Sequence, residues 1–548
     1  MHLRILLLSL PAFLALSGCT KDPDDTFDTG DVDTDTDTDT DTDTDTDPDT
    51  DEPTEDVIAC ETPLPAVDDG LCSVTGDPAT ATHILLQGTV LGDSTYLDGG
   101  VLAERGNNGL ITCTGCDCAD EAPEDTLVVT CPEGVISPGL INSHDHIGWT
   151  RNGPGNLPAV ERYDHRHDWR EGIRGHTEVS SGGSLTSAEG VLYGEIRMLL
   201  GGATSIAGSG GADGLLRNMD RNSQNGGLRS TGSDYSTFPL GDASGLLAAS
   251  GCDRYDIDSE SVLNNPSYLP HIAEGIDPEA NNEFRCLSTD AGGGTNLVAA
   301  NTAIIHGIGL TPPDIGLVAS VGAQLIWSPR SNISLYGMTA PVTQYDTQGV
   351  RIALGTDWTP SGSATMLREL TCASELNAEH YDSYFSDADL WRMATENGGV
   401  AMGAESQLGR LATGYVADIS IFDGTVESAH SAVVNADQAD VVAVFRGGEL
   451  LSGDTDIVAA MRTLAGELVD WLRRRLPASA SFTVADVPLG RIQRVGLEPQ
   501  HEQWNVDRAL YAARLVFALH ANVHQGGAFT NHGLGFIEIH LTEHRRLQ

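Results

Sequence analysis

The stretch Val135-Ile136-Ser137-Pro138-Gly139-Leu140-Ile141-Asn142-Ser143-His144-Asp145-His146 decides how the rest of the chain is read. An apolar run stops at two histidines two residues apart. Side chains in a strand repeat every second residue, so both imidazoles leave the strand end on one side, a geometry that suits a single metal ion. Alone, a His-x-His fits a packed or surface pair equally well. Further ligands at strand ends separate the two readings.

Three such positions follow. His271 comes after Pro266-Ser267-Tyr268-Leu269-Pro270, His306 ends Asn301-Thr302-Ala303-Ile304-Ile305, and Asp357 ends Val350-Arg351-Ile352-Ala353-Leu354-Gly355-Thr356. Each stands where an apolar run stops, the end of the strand at which barrel enzymes build their sites. The interval from His271 to His306 is about one strand–helix unit, and the next one leaves room for a strand over 324–328. Four units fit between His146 and His271, so the count reaches eight strands at Asp357. Apolar strands here alternate with helical stretches such as 188–200 and 388–401, which predicts a parallel sheet. The expected fold class is α/β, a (β/α)8 TIM barrel over residues 138–409.

Working outward, Thr82-His83-Ile84-Leu85-Leu86-Gln87-Gly88-Thr89-Val90 and Thr126-Leu127-Val128-Val129-Thr130 read as strands bounded by turn residues. The same texture returns at Ala417-Asp418-Ile419-Ser420-Ile421-Phe422-Asp423-Gly424 and at Val441-Val442-Ala443-Val444-Phe445-Arg446-Gly447-Gly448. Two strand-rich flanks around one body predict a small composite β-sandwich assembled from 58–137 and 410–454.

The amino terminus has Arg4, an apolar run over 5–16 and then Leu16-Ser17-Gly18-Cys19, the layout of a secretory signal over 1–19. It resembles the bacterial lipobox, which implies lipidation at Cys19 and an exported protein lipid-anchored to the cell envelope. The run is too short to span a bilayer, and no later segment reaches the roughly 20 apolar residues needed, so the only expected contact with membrane is the lipid anchor. Residues 20–57 are dominated by Asp-Thr alternation, which has little apolar surface to bury and repels itself; they read as an extended spacer. A calcium-binding reading of that run meets the lack of a Gly turn and of a terminal bidentate Glu. The formal net charge is −49, and such a surface repels phosphate backbones, which argues against nucleic acid as a partner.

Ten cysteines in an exported chain read as disulfides. Cys60 with Cys72 and Cys252 with Cys286 are plausible local bridges. Cys113, Cys116, Cys118 and Cys131 supply two more or, alternatively, a zinc knuckle, and Cys372 is the candidate odd thiol.

These residues together resemble the amidohydrolase superfamily, in particular its cytosine deaminase, guanine deaminase and triazine hydrolase branch. The resemblance runs from about Thr82 to Asp454. It rests on the His-x-His of His144 and His146, the His-x-x-Glu of His271 and Glu274, Ser328-Pro329-Arg330-Ser331-Asn332, Leu354-Gly355-Thr356-Asp357, Arg392-Met393-Ala394-Thr395 and Gly414-Tyr415-Val416-Ala417-Asp418. It implies that His144, His146, His271 and Asp357 hold one divalent metal, zinc by preference and iron as the alternative. The chemistry implied is hydrolysis of a non-peptide carbon–nitrogen bond in a small cyclic or amidine-like substrate by a metal-activated water. Asp357 then accepts the water's proton, Glu274 carries it to the departing nitrogen, and His306 polarises the attacked centre or orients the water. The plainer readings are a packed core histidine at His306 and a solvated loop charge at Glu274. Lys21, in the spacer, is the only lysine in the chain. The two-metal branch bridges its metals with a carbamylated barrel lysine, so the resemblance favours a single-metal site.

A cyclic-amide, imidazolone or halogenated-ring hydrolase uses the same activated water, and a catalytically silent surface-binding lipoprotein is the reading from a different class. His165 and His167, downstream of the metal pair, read as a surface loop, with a pocket role as the alternative. The tail from 455 to 548 departs from the family, with possible helices over 457–475 and 506–521 and with His501, His520, His524, His532, His540 and His544 in no ligand spacing.

Overall fold

The computed structural model describes residues 56–461, apart from 69, 107, 150–160, 180–187, 209–214 and 230–231, together with two short tail strands at 482–484 and 519–521. The expected lipidation at Cys19, the Asp/Thr spacer up to residue 55 and most of the tail lie outside the described residues.

The body holds eight parallel strands in chain order: β1 (Leu140–Asn142), β2 (Ala203–Ile206), β3 (Arg217–Asn218), β4 (Asp234–Ser236), β5 (Tyr268–Ile272), β6 (Ala303–His306), β7 (Gln324–Trp327) and β8 (Ile352–Leu354). They form two arcs, β1-β2-β3 and β4-β5-β6-β7-β8, so the single closed eight-stranded barrel expected from the sequence takes the form of two parallel sheets. Backbone hydrogen bonds link the first strand's end to the last: Ser143 N donates to Leu354 O at 3.1 Å and Asp357 N to His144 O at 2.9 Å. Ser233 N donates across the other seam to Met219 O at 2.7 Å.

Strand alternation explains what lies inside. Leu269 joins Ile141, Ala207, Ile305, Ile326 and Ala353 in one buried cluster, whereas Tyr268 and Ile272, at the alternate positions of the strand, belong to the larger core that also takes in the surrounding helices. Every second residue of β5 therefore faces the interior, and His271 shares the face of Leu269. The helix expected over 388–401 breaks into Asp387–Met393 and Glu396–Ala401: at the break Ala394 O accepts from Ile141 N at 2.8 Å and Thr395 leaves the helical conformation with φ −130° and ψ −94°.

Both flanks contribute to one nine-stranded mixed sheet. Its main order is Val57–Ala59, Thr95–Glu104, His83–Leu91, Leu127–Pro138, Ile419–Asp423, Val441–Arg446 and Glu449–Gly453. Ile419–Asp423 runs antiparallel to Leu127–Pro138 with Ile419 opposite Pro138, so strands of both flanks share this one sheet where the sequence led us to expect a sandwich. Its core contains Leu86, Val101, Ile136, Ile421 and Phe445. Arg217 at β3 joins the two units: its Nε lies 2.6 Å from Asp418 Oδ2 and its second terminal nitrogen 2.9 Å from Oδ1, both side chains buried.

The disulfides differ from the expected set. Cys252–Cys286 forms as anticipated, but Cys60 pairs with Cys116 and Cys72 with Cys131, while Cys113 pairs with Cys118. Strand register is the reason: Ser73 lies opposite Thr130, which brings the adjacent Cys72 and Cys131 to a Cα separation of 4.2 Å. With all four of the 113–131 cysteines bridged, no zinc knuckle forms there. Cys372, the expected odd thiol, lies buried in the helix Met366–His380. In the tail, Leu519–Ala521 pairs antiparallel with Phe482–Val484, so the end of the helix expected over 506–521 is a strand instead, its backbone groups satisfied across a ladder. No helix among the described residues is long and apolar enough to cross a membrane.

Candidate metal centre

The strand ends bring the named side chains together. His144 Nε2 lies 3.1 Å and His146 Nε2 3.4 Å from Asp357 Oδ1, and His271 Nε2 lies 3.4 Å from His146 Nε2. A tetrahedral ion with bonds of about 2.0–2.1 Å separates its ligands by about 3.3–3.4 Å, so these spacings match the edges of one coordination sphere. The three histidines, and separately His144, His306 and Asp357, offer donor atoms within 4.8 Å of one another.

Tautomers agree with that use. His271 Nδ1 lies 3.0 Å from the carbonyl of Ser236, which only accepts, so the ring proton sits on Nδ1 and the Nε2 lone pair faces the centre. Burial first, and then the neighbouring imidazoles, hold His271 well below the usual histidine range and bring His146 down to about 3. His144 is also lowered by burial, against the pull of Asp357. Burial pushes the Asp357 carboxyl up, but the surrounding His144, His306 and His146 outweigh it and hold the group well below the ordinary carboxylate range. Neutral imidazoles and an ionised carboxylate are the forms that bind a divalent cation.

Glu274 and His306 stand beside this set. Both are buried, and Glu274 Oε2 lies 3.6 Å from His306 Nε2; the reading of Glu274 as a solvated loop charge is thereby corrected. Burial raises the Glu274 carboxyl, with His306 opposing. The His306 ring is 5.1 Å from that of His144 and 5.4 Å from that of His271, so it belongs to the cluster. Alternation after Ile305 would send His306 away from the interior; its φ of 76° breaks the extended backbone and re-aims the ring. Asp357 has φ of 55° and Ala273, next to Glu274, also 55°. Non-glycine residues held in this region cost on the order of 1–3 kcal/mol each, and such strain clusters at functional sites.

His165 and His167 are buried, not on a surface loop. His165 Nε2 lies 3.2 Å from Glu283 Oε1 and His167 Nε2 2.9 Å from Asp242 Oδ2, with Arg166 2.5 Å from Asp242. Although His165, His167 and Glu283 have ligand-like spacing, the Arg166 guanidinium already balances the carboxylates. The group acts as a brace: Arg166 N donates to Glu274 O at 3.0 Å and Glu283 Oε2 accepts from Ala273 N at 2.9 Å.

Several partners escaped the sequence reading. Tyr235, Ser236 and Tyr336 carry no motif of their own, and Ser331 and Asn332 were visible only as part of a quoted segment. Ser331 Oγ donates to Asp357 Oδ2 at 2.5 Å, Asn332 Oδ1 lies 3.1 Å from His306 Nδ1, and Tyr336 donates to Glu274 Oε1 at 2.7 Å. Their nearness to strand ends was the one available signal.

Residues 278–451 match the amidohydrolase family model. That stretch of the chain is similar to the amidohydrolase family. Over 435 residues the chain is 23% identical to 5-methylthioadenosine/S-adenosylhomocysteine deaminase of Halobacterium salinarum, covering 70% of this chain and 96% of that one. It is 38% identical over 156 residues to the enzyme of that name from Pyrococcus abyssi, covering 28% of this chain and only 35% of the relative. A zinc-complexed atrazine chlorohydrolase of Arthrobacter aurescens superposes with a TM-score of 0.51 at 17% identity, covering 70% of this chain and 99% of that one, a likeness of fold. The family match and the deaminase-named relatives support a metal-dependent hydrolase acting on carbon–nitrogen bonds.

Proposed function

We propose that this protein is a zinc-dependent deaminase of small cyclic amidine-like compounds, with 6-aminopurine nucleosides as the substrate class, and that His144, His146, His271 and Asp357 hold the ion. The observation that carries the reading is the set of four donors at tetrahedral-edge spacing, with the Nδ1 proton of His271 committed away from the centre. The names of the relatives supply the substrate class. A divalent cation bound there supplies Lewis acidity and an activated water.

The chain's own residues do the rest. Asp357, ionised, takes the proton of the attacking water. Glu274, its carboxyl raised by burial, passes a proton to the departing nitrogen as the water oxygen bonds to the ring carbon and ammonia leaves. His306, fixed through Nδ1 by Asn332, turns Nε2 towards Glu274 and orients the reacting group. We also read the protein as exported and anchored through Cys19; the disulfides of the described residues support an oxidising compartment.

The test is ammonia release by the zinc-loaded protein from adenosine, 5-methylthioadenosine, S-adenosylhomocysteine and guanine. Turnover of at least one purine, abolished in His271→Ala, is expected. A zinc-loaded protein inert on all of them overturns the deaminase reading. Fatty-acid labelling lost in Cys19→Ala tests the anchor.

A further inference from the structure

Trp169 and Trp358 stack on each other, ring centroids 4.9 Å apart and 36° between planes. Each indole N–H begins a chain of hydroxyls, and the two chains end on the two carboxylates assigned to the chemistry. From Trp169, Nε1 donates to Tyr336 OH at 2.8 Å, and Tyr336 donates to Glu274 Oε1 at 2.7 Å. From Trp358, Nε1 donates to Ser361 Oγ at 2.5 Å. Ser361 and Ser331 are 2.8 Å apart, and Ser331 donates to Asp357 Oδ2 at 2.5 Å.

The direction of both chains is forced. An indole N–H is a donor only, and a hydroxyl that accepts from it keeps its single proton for the next group. With a donor at one end and an acceptor at the other, every hydroxyl between them passes its single proton towards the carboxylate. Tyr336, Ser361 and Ser331 are buried, as is Trp358, so water does not compete for these protons. The chains use one oxygen of each carboxylate and leave the other, Glu274 Oε2 towards His306 and Asp357 Oδ1 towards His144 and His146, for the centre.

We propose that the Trp169–Trp358 stack is a shared positioning element, which fixes the orientation of Glu274 and Asp357 relative to each other through two one-way hydrogen-bond relays. Neither tryptophan is a catalytic residue; each acts through the carboxylate at the end of its relay. Because one relay ends on a residue assigned to the metal and the other on the proton carrier, the two indoles have separable effects. The inference rests on the roles given to Glu274 and Asp357 above.

Trp169→Phe and Trp358→Phe keep an aromatic ring in the stack and remove one N–H each. Zinc affinity is measured by chelator competition, and kcat and KM by ammonia release from adenosine. Outer-shell partners of a metal ligand are worth about 10- to 100-fold in affinity or activity; Ser331 is that partner of Asp357, so Trp358→Phe, which acts through it, should lose zinc affinity by about tenfold, the low end of the range. Trp169→Phe should hold zinc as the parent does, keep its KM and lose about tenfold in kcat. Tyr336→Phe and Ser331→Ala interrupt the same relays without touching the stack, and each should reproduce its own tryptophan variant. Parental zinc affinity in Trp358→Phe and Ser331→Ala, or parental kcat in Trp169→Phe and Tyr336→Phe, overturns the proposal. A parent protein that binds zinc but releases no ammonia refutes the deaminase reading alone, and the zinc affinities then decide this one.

Discussion

The hydroxyl of Tyr235 lies 2.8 Å from Nδ1 of His144 and donates its own proton to the carbonyl of Asp145 at 3.0 Å. Burial keeps the phenol protonated. With that single proton spent on a carbonyl, His144 Nδ1 must be the donor to the phenol oxygen, and the Nε2 lone pair is left facing Asp357 and the centre. A residue with no motif around it thus sets the tautomer of the first histidine of the His-x-His.

Tyr235→Phe removes the acceptor and leaves the ring. His144 can then place its proton on either nitrogen, and zinc affinity should fall about 10- to 100-fold. Chelator competition on the purified protein reads this directly, and an unchanged affinity would refute the role given to Tyr235.

Glu274→Gln keeps the size and burial of the side chain but cannot carry a proton. Loss of positioned acid–base catalysis is worth about 10²- to 10⁴-fold, so kcat should drop by that factor while zinc content stays stoichiometric. Simultaneous loss of zinc would move Glu274 from proton carrier to structural support.

Asp418→Ala strips the paired carboxylate from buried Arg217 and should cost about 3–5 kcal/mol of unfolding free energy. Urea denaturation followed by circular dichroism gives the number. Because the pair joins the barrel strands to the mixed sheet, the loss should lower a single cooperative transition or split it in two.

Burial raises Glu195 and Glu369 from 4.5 to about 7 each. A carboxyl whose folded pKa is raised holds a proton that the unfolded chain has already released, so its stabilisation is complete below about 4.5 and is lost as pH rises through about 7. Each shift corresponds to about 3 kcal/mol at most. Urea midpoints at pH 5 and pH 8 should therefore differ less in Glu195→Gln than in the parent, and an equal slope would show that Glu195 is ionised throughout.

Sequence legibility followed the range of the interactions. His144, His146, His271, His306 and Asp357 were visible because each ends an apolar run, and strand periodicity turns that position into a direction. Five of the eight strands were legible for the same reason, whereas β3 (Arg217–Asn218) and β4 (Asp234–Ser236) are short and polar and are defined by pairing with a neighbouring strand. His165 and His167 were misread because their burial depends on Asp242 and Glu283, which lie far along the chain and signal nothing locally. The pairing of Cys72 with Cys131 follows from an antiparallel register that sequence spacing does not encode. The roles of Tyr235 and Tyr336 come from tertiary hydrogen bonds to residues distant in sequence.

The pairing of Leu127–Pro138 with Ile419–Asp423 also governs the order of assembly. The whole barrel segment is spliced into one sheet between neighbouring strands, so a nascent chain must finish the barrel before Leu127–Pro138 can meet its partner. Until then the Gly134–Pro138 half of that strand, whose earlier half pairs with Ser73–Thr75, presents an open row of backbone donors and acceptors, an invitation to pair with another copy. The seam that unites the two flanks is therefore an exposed point during biogenesis, and a chain released before residue 419 would carry that unpaired strand edge.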